Sequence, residues 1–126
     1  MDQVWNQRFL FNACMGFCGE VSSYPTMAGV IRNNATMSHD GGHTAAGFDS
    51  LWAKNNVPLR EGFAYRSNHV VAVAAKAVIE RFYSKQLTYS FISSCSKGGH
   101  AGIVAAKRYS NDFDGVIARG PTTHYT

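Results

Sequence analysis

The sequence contains little that would indicate a membrane span, a nucleic-acid surface or disorder. Its longest apolar stretch, residues 70–79, is interrupted by Lys76 and falls far short of the roughly 20 residues that cross a bilayer. Charged residues make up only 16% of the chain, and the net charge of +4 is spread thinly, with Lys107-Arg108 as the one adjacent basic pair. We therefore expect neither a nucleic-acid partner nor a membrane partner.

Cysteines and targeting features are also scarce. There are three cysteines, Cys14, Cys18 and Cys95, an odd number that leaves at least one without a partner in the chain. The first eight residues carry an early acid and lack a basic region followed by an apolar one, so no signal peptide is expected in this chain. At 126 residues the chain fits one domain, residues 1–126, which buries roughly two thirds of its surface.

Apolar periodicity predicts alternating strands and helices. Strands are predicted at residues 8–13, 35–38, 86–93 and 115–118, and helices over residues 62–83 and after Ser96, with 24–30 ambiguous and Asn55, Asn56 and Pro58 as breakers. The apolar stripe of the longest helix is expected to comprise Val70, Val73, Ala74, Ala77, Val78 and Phe82, widened by Val71, Ala75 and Ile79. This order predicts an α/β fold with a mostly parallel sheet and flanking helices.

A glycine-rich turn links the third predicted strand to the last helix, at residues 93–102. A tight turn that exposes a nucleophile needs small residues two positions to either side, and Ser94 and Gly98 flank Ser96 in this way. The following helix would point its N-terminus at the reacting carbon, with the Lys97 N–H placed to bind an oxyanion. The alternative is an ordinary strand-to-helix turn, which is frequent in α/β folds.

Six segments around this turn form an ordered series along the chain. They are Trp5-Asn6-x-Arg8-Phe9-Leu10, Gly16-Phe17-Cys18-Gly19, Asp40-Gly41-Gly42-His43, Phe48-Asp49-x-x-Trp52-Ala53, Cys95-Ser96-Lys97-Gly98-Gly99 and Asp112-Phe113-Asp114-Gly115-Val116. In this order they resemble the tannase and feruloyl esterase family. The resemblance covers nearly the whole chain and implies a partial α/β-hydrolase fold, a fragment that ends before the lid insertion, with the lid domain and the C-terminal strands absent.

The resemblance implies a serine carboxylic ester hydrolase that acts on aromatic esters of the feruloyl or galloyl type. Ser96 would attack the ester carbonyl and form an acyl-enzyme, and Gly16, in the matching glycine-rich loop, would supply a second oxyanion N–H beside that of Lys97. A small aromatic ester is the implied partner, and a secreted, extracellular location is implied as well. The family's calcium site lies in the lid, so no cofactor and no metal are expected in this chain.

The cysteines have separate roles under this resemblance. In the family, the cysteine before the nucleophile pairs with one beside the catalytic histidine; Cys95 matches the first, and nothing downstream matches the second. Cys14 and Cys18 either pair with each other or stay as thiols, because a spacing of four residues needs a tight turn to bring the Cα atoms within about 7 Å.

A complete triad within the chain would have to combine Ser96 with Asp112 or Asp114 and with His124. Strand length argues against this, because Asp114 precedes a strand whose far end is level with Ser96, about 16 Å away. We therefore expect the acid and the histidine to come from later sequence. The alternative function is a catalytically incompetent remnant or an aromatic-binding module.

The remaining histidines have structural interpretations. His100, on the helix after the turn, is expected to pack or to lie on the helix surface. His39 and His43 flank a glycine loop, but two histidines without a third ligand do not make a metal site. Asp40 is expected to organise that loop by accepting backbone hydrogen bonds, and His69 should lie on the long helix.

Overall fold

The computed structural model describes residues 4–124 and places four strands in one parallel sheet, with helices packed against it. The strands are β1 (Arg8–Asn12), β2 (Ala35–Ser38), β3 (Tyr89–Cys95) and β4 (Gly115–Arg119). The helices are α1 (Tyr24–Val30), α2 (Val57–Glu61), α3 (Ser67–Tyr83) and α4 (Lys97–Arg108), with a 3₁₀ turn at Leu51–Ala53 and a π-helical segment at Gly62–Arg66. The predicted α/β class and parallel sheet are confirmed.

The two central strands carry the core. The sheet order is β2-β1-β3-β4, so β1 and β3 each have a neighbour on both sides. Phe9 and Phe11 of β1 and Ile92 of β3 are completely buried, and the two phenylalanine rings meet edge to face with centroids 6.1 Å apart. Because all four strands run in the same direction, their carboxyl ends meet at one edge, where β1 and β3 lead into loops.

The face that α3 presents to the sheet differs from the predicted stripe. Its buried residues are Asn68, Ala72, Ala75 and Ile79. The six residues that were predicted to form the stripe are all exposed, and of the three that widen it, Ala75 and Ile79 are buried. Ala72, Ala75 and Ile79 belong to the same core cluster as Phe9, Phe11 and Ile92 of the central strands. The prediction of a helix was therefore right and the prediction of its buried face largely wrong.

Two predicted boundaries also shift. Pro58, expected as a breaker, lies in the first turn of α2, where a backbone N–H has no intrahelical partner to lose. Asn56 caps this helix, since its Oδ1 accepts the Leu59 N–H at 3.2 Å. Strand β3 begins and ends later than the predicted residues 86–93 and runs directly up to Ser96.

Candidate functional site

Ser96 forms an exposed turn at the carboxyl edge of the sheet, between β3 and α4. Its backbone dihedrals are φ 56° and ψ −121°, which residues other than glycine rarely adopt. The Ser96 N–H donates to the Arg119 carbonyl at 3.0 Å, and the Ser96 carbonyl accepts the His100 N–H at 3.1 Å. Backbone hydrogen bonds to β4 and α4 therefore hold the strained turn in place.

Small residues are required directly beneath this turn. A Cβ atom added at Gly98 would lie 2.4 Å from the Ser94 Cβ and 3.2 Å from the Ala13 carbonyl oxygen. The first distance is far inside van der Waals contact, so only glycine fits without a shift of the strand. The close packing of Ser94 against Gly98 is what brings β3 and α4 together around Ser96.

Gly16 lies in the loop that follows the neighbouring strand, β1. It has φ +60°, and a Cβ atom there would lie 2.6 Å from the Gly47 carbonyl oxygen, so both conformation and space require glycine. The next residue, Phe17, donates its N–H to that same carbonyl at 2.8 Å. Among residues 4–124, no hydrogen-bond acceptor is found for the Gly16 N–H.

A disulfide closes the Gly16 loop. Cys14 and Cys18 are bonded with their Cα atoms 5.2 Å apart, so of the two outcomes that the sequence left open, pairing is the one observed. The loop is further tied to its neighbour, because the Gly19 N–H donates to the Asp40 carbonyl at 2.7 Å. The third cysteine, Cys95, is exposed and forms no disulfide with a described residue.

The side chain of Lys97 also belongs to the site, whereas the sequence predicted a role only for its backbone N–H. Its side chain is 2% exposed, and its Nζ lies 4.4 Å from the centroid of the Phe63 ring and 3.2 Å from His100 Nδ1. Burial lowers the pKa of Lys97 to about 8, because desolvation disfavours the charged form. Burial, and after it the Lys97 charge, lower the pKa of His100 as well. No local sequence pattern indicated this burial, because the contact is with Phe63, which lies 34 positions earlier in the chain.

His39 and His43 flank the second glycine loop, which contains Gly41 and Gly42, and both form hydrogen bonds with other parts of the structure. His39 Nδ1 accepts the Gly41 N–H at 3.0 Å, and its Nε2 lies 3.0 Å from Asn68 Oδ1. Burial lowers the pKa of His39. His43 Nε2 donates to the Phe17 carbonyl at 2.9 Å. These rings therefore join the two loops and α3 to one another.

Asp40 organises the same loop, as the sequence predicts. Its Oδ1 accepts the Gly42 N–H at 2.8 Å, and its backbone carbonyl accepts the Gly19 N–H. A carboxylate two residues before the donor forms a local turn of the Asx type. The contact places Asp40 between the two glycine loops.

The candidate triad carboxylates lie at the opposite, amino edge of the sheet. Asp114 Oδ2 accepts the N–H and the hydroxyl of Ser90 at 2.7 and 3.0 Å, and these bonds lower the pKa of Asp114. Asp112 Oδ2 accepts from Nδ1 of His69, which lies on α3 as predicted, at 2.8 Å. Ser90 and Ser96 are six positions apart along the strand, a distance of about 20 Å. Neither carboxylate reaches the serine, as strand length predicts.

His124 does not complete the site either. Its Nδ1 lies 3.0 Å from the Thr123 hydroxyl. Within the described part of the chain, no histidine or carboxylate is hydrogen-bonded to the Ser96 hydroxyl. The residues brought together at the carboxyl edge are thus a strained serine, the first residue of α4 and a glycine loop.

A cavity of about 590 Å³ lies on the side of the sheet that faces α1. Apolar side chains of β1 and α1, such as Leu10 and Met27, line it together with Cys95, whereas Ser96 is not among the lining residues. Over residues 4–124 there is no group of three or more histidines, cysteines or acids that could hold a metal ion. None of the helices in that range is long and apolar enough to cross a membrane.

Known proteins match the chain over nearly its whole length. A family model described as "Tannase and feruloyl esterase" matches residues 1–126. A probable feruloyl esterase of Arthroderma benhamiae is 34% identical, over 96% of this chain and 24% of that protein. A mono(2-hydroxyethyl) terephthalate hydrolase of Piscinibacter sakaiensis is 31% identical, over 96% of this chain and 22% of that protein.

The fold has a solved counterpart. The crystal structure of an esterase from Aspergillus oryzae superposes with a TM-score of 0.89 at 29% identity, covering 94% of this chain and 23% of that one. The chain therefore spans between 22% and 24% of the length of these three proteins. Its sheet and helices correspond to one part of a larger fold.

Proposed function

Since the chain belongs to the tannase and feruloyl esterase family and has a partial α/β-hydrolase fold, we propose that it carries the nucleophile of a serine carboxylic ester hydrolase. The observation that supports this most directly is the strained, exposed turn at Ser96. Strain of this kind persists only where the surrounding structure holds it, and it is concentrated at active sites. Residues 1–126 would form a single partial core domain of that enzyme.

In the proposed reaction, the Ser96 oxygen attacks the ester carbonyl carbon while a general base takes the hydroxyl proton. The oxyanion of the tetrahedral intermediate accepts hydrogen bonds from the N–H groups of Lys97 and Gly16. Collapse of the intermediate breaks the bond to the alcohol, which leaves with the proton, and the acyl group stays on Ser96. Water then attacks the acyl-enzyme in the same way and releases the acid.

The placement of the two N–H groups supports their proposed role. Lys97 is the first residue of α4, and the N-terminus of a helix carries a partial positive charge that favours an anion. The Gly16 N–H has no acceptor among the described residues. Both groups follow the carboxyl ends of adjacent parallel strands, so they lie on the same edge as Ser96.

The general base and its acid are proposed to lie outside the described residues. Asp112 and Asp114 are engaged at the other edge of the sheet, and His39 and His43 are engaged in loop contacts. A nucleophile without its base retains only the catalysis that the oxyanion donors and binding provide. We therefore expect the isolated 126-residue chain to hydrolyse esters several orders of magnitude more slowly than a complete enzyme.

We propose esters of aromatic carboxylic acids as the substrate class. The support comes from similarity to a probable feruloyl esterase and to a mono(2-hydroxyethyl) terephthalate hydrolase, since feruloyl and terephthalate esters both carry an aromatic ring on the acyl side. An extracellular location is part of the same proposal. The Cys14–Cys18 disulfide supports it, because disulfides persist in oxidising compartments.

The test is hydrolysis of methyl ferulate and methyl gallate by this chain and by a longer polypeptide that includes it. We expect turnover by the longer polypeptide, lost by about 10⁴-fold or more in Ser96→Ala and retained in the neighbouring control Ser93→Ala. Turnover that survives Ser96→Ala would contradict the proposal. Binding of methyl ferulate without turnover, in parent and variant alike, would support an aromatic-binding module instead.

A further inference from the structure

A buried hydroxyl connects the nucleophile turn to the glycine loop. Ala13, the first residue after β1, donates its N–H to Ser94 Oγ at 2.8 Å, and the Ser94 hydroxyl lies 3.5 Å from the Ala13 carbonyl oxygen. Ser94 is 5% exposed and stands two residues before Ser96. One side chain thus serves both backbone groups of Ala13, which is a specific cross-link between two elements.

This cross-link continues the pairing of β1 with β3. The two strands pair from Arg8 to Phe11 of β1 at a constant offset. Ala13 and Ser94 keep that offset of 81 positions, but here a side chain replaces the backbone partner. The two segments therefore stay joined where β3 leads into the turn at Ser96 and β1 leads into the Gly16 loop.

Gly98, in the first turn of α4, packs against both Ser94 and Ala13. A Cβ atom at this position would lie 3.2 Å from Ser94 Oγ and 3.2 Å from the Ala13 carbonyl oxygen. The end of β3, the start of the Gly16 loop and the first turn of α4 therefore meet in one tight contact.

The far side of the Gly16 loop is anchored by different contacts. The Cys14–Cys18 disulfide closes the loop, and the Phe17 N–H donates to the Gly47 carbonyl at 2.8 Å. Gly16 lies between those anchors and the Ser94 cross-link. Removing the Ser94 hydroxyl would leave the far anchors intact and release the loop on the side of the nucleophile turn.

We propose that Ser94 is a positioning residue whose hydroxyl sets the distance between the Gly16 N–H and the Lys97 N–H. The consequence for catalysis rests on the proposed oxyanion role of these two donors, whereas the cross-link itself does not depend on any activity. Two donors on separate elements stabilise an oxyanion only if they are held close to the productive geometry. Ser94 supplies this constraint because it joins the two elements directly.

The first test measures amide hydrogen exchange at Ala13 in the 126-residue chain. In Ser94→Ala we expect exchange at Ala13 to become at least about fivefold faster, while the control Ser93→Ala leaves it unchanged. Ser93 is one residue away, and the hydrogen bonds to Ala13 are formed by Ser94 and not by Ser93. Unchanged exchange at Ala13 in Ser94→Ala would overturn the proposal, whether or not the chain is part of an esterase.

The second test measures kcat and KM for methyl ferulate in the longer polypeptide of the preceding experiment. In Ser94→Ala we expect kcat to fall about tenfold with KM changed less than about twofold, because donors that act only in the transition state affect kcat. Ser93→Ala should change neither. Faster exchange at Ala13 with an unchanged kcat would overturn the positioning role and keep the cross-link as a structural contact. If the longer polypeptide has no turnover at all, the proposed function fails, and the exchange result still decides the cross-link.

Discussion

The two edges of the sheet both carry polar side chains, but these differ in backbone strain, burial and hydrogen bonding. At the carboxyl edge, Ser96 is exposed in a backbone conformation that serine rarely adopts, and the Lys97 side chain is buried beside an aromatic ring. At the amino edge, Asp112 is paired with His69 and Asp114 accepts two hydrogen bonds from Ser90. At the carboxyl edge, the Ser96 backbone and the buried Lys97 side chain are held at an energetic cost. At the amino edge, both carboxylates have hydrogen-bond partners.

This difference shows that residue types alone do not identify an active site. A serine, a histidine and two carboxylates lie together at the amino edge, yet each is committed to a structural partner there. Among residues 4–124, the side chain of the serine at the carboxyl edge has no such partner, and this is the edge with the strained backbone and the buried lysine. Departures from the structural optimum are typical of functional sites, because activity and stability are selected separately.

The largest effect that tests this contrast is expected for Gly98→Ala. The added methyl group would meet the Ser94 Cβ at 2.4 Å, and we expect the free energy of unfolding to fall by about 3 kcal/mol. Gly47→Ala is the matched control, since nothing lies within 4 Å of its Cβ position. Urea unfolding of both variants measures the difference, and equal stabilities would contradict the close packing at the turn.

At the amino edge, Asp112→Asn should destabilise the protein by about 2 kcal/mol. The side chain is 9% exposed, and the substitution removes the carboxylate that accepts from His69 Nδ1. Asp49→Asn, at an exposed carboxylate with one local hydrogen bond, serves as the control. If the two variants unfold at the same urea concentration, the amino edge does not stabilise the fold in the way described.

At the carboxyl edge, Lys97→Met is expected to have the opposite sign. Below pH 8 the substitution removes a buried charge, and we expect unfolding to require about 1 kcal/mol more. The pKa of Lys97 in the folded chain, about 8, lies below the ordinary value of 10.5, so the unfolded chain binds more protons between these limits. The stability of the parent should therefore rise from pH 8 to pH 10.5, and that rise should be reduced in Lys97→Met. Parallel pH profiles of the two proteins would show that Lys97 does not titrate in this way.

The smallest effect concerns Asp114, which is exposed. Hydrogen bonds from Ser90 lower its pKa in the folded chain, so its contribution to stability is present above the ordinary carboxyl pKa and is lost as the pH falls through the lowered value. Melting temperatures of the parent and Asp114→Asn should differ at pH 6 and converge towards pH 2. A constant difference across this range would assign the effect to packing instead of ionisation.

Local sequence patterns predicted the elements that depend on local chemistry. The strand at β2 and the helix after Ser96 were predicted because β-branched residues, glycines and apolar spacing act over a few positions. The parallel sheet followed from the order of these elements. The glycine and serine beside Ser96 were predicted from steric need alone, and their contact in the structure has that cause.

The features that could not be predicted depend on residues far apart in the sequence. The Ser94 cross-link joins positions 81 residues apart, and no pattern around either residue indicates the other. The burial of Lys97 depends on Phe63, which belongs to a different element. The buried face of α3 is set by its contacts with core residues of β1 and β3, which are distant in sequence, so the apolar spacing within the helix was a poor guide to it.

The π-helical segment at Gly62–Arg66 has a consequence for how this region tolerates insertions and deletions. The Ser67 N–H donates to the Gly62 carbonyl, five residues back, whereas a hydrogen bond in an α-helix joins residues four apart. The segment therefore contains one residue more than the corresponding turn of an α-helix. Deleting that residue would rotate every later position of the helix by about 100°, one residue's share of a turn. The face formed by Asn68, Ala72, Ala75 and Ile79 would then leave the sheet. The number of residues in this segment therefore determines which side chains of α3 face the sheet.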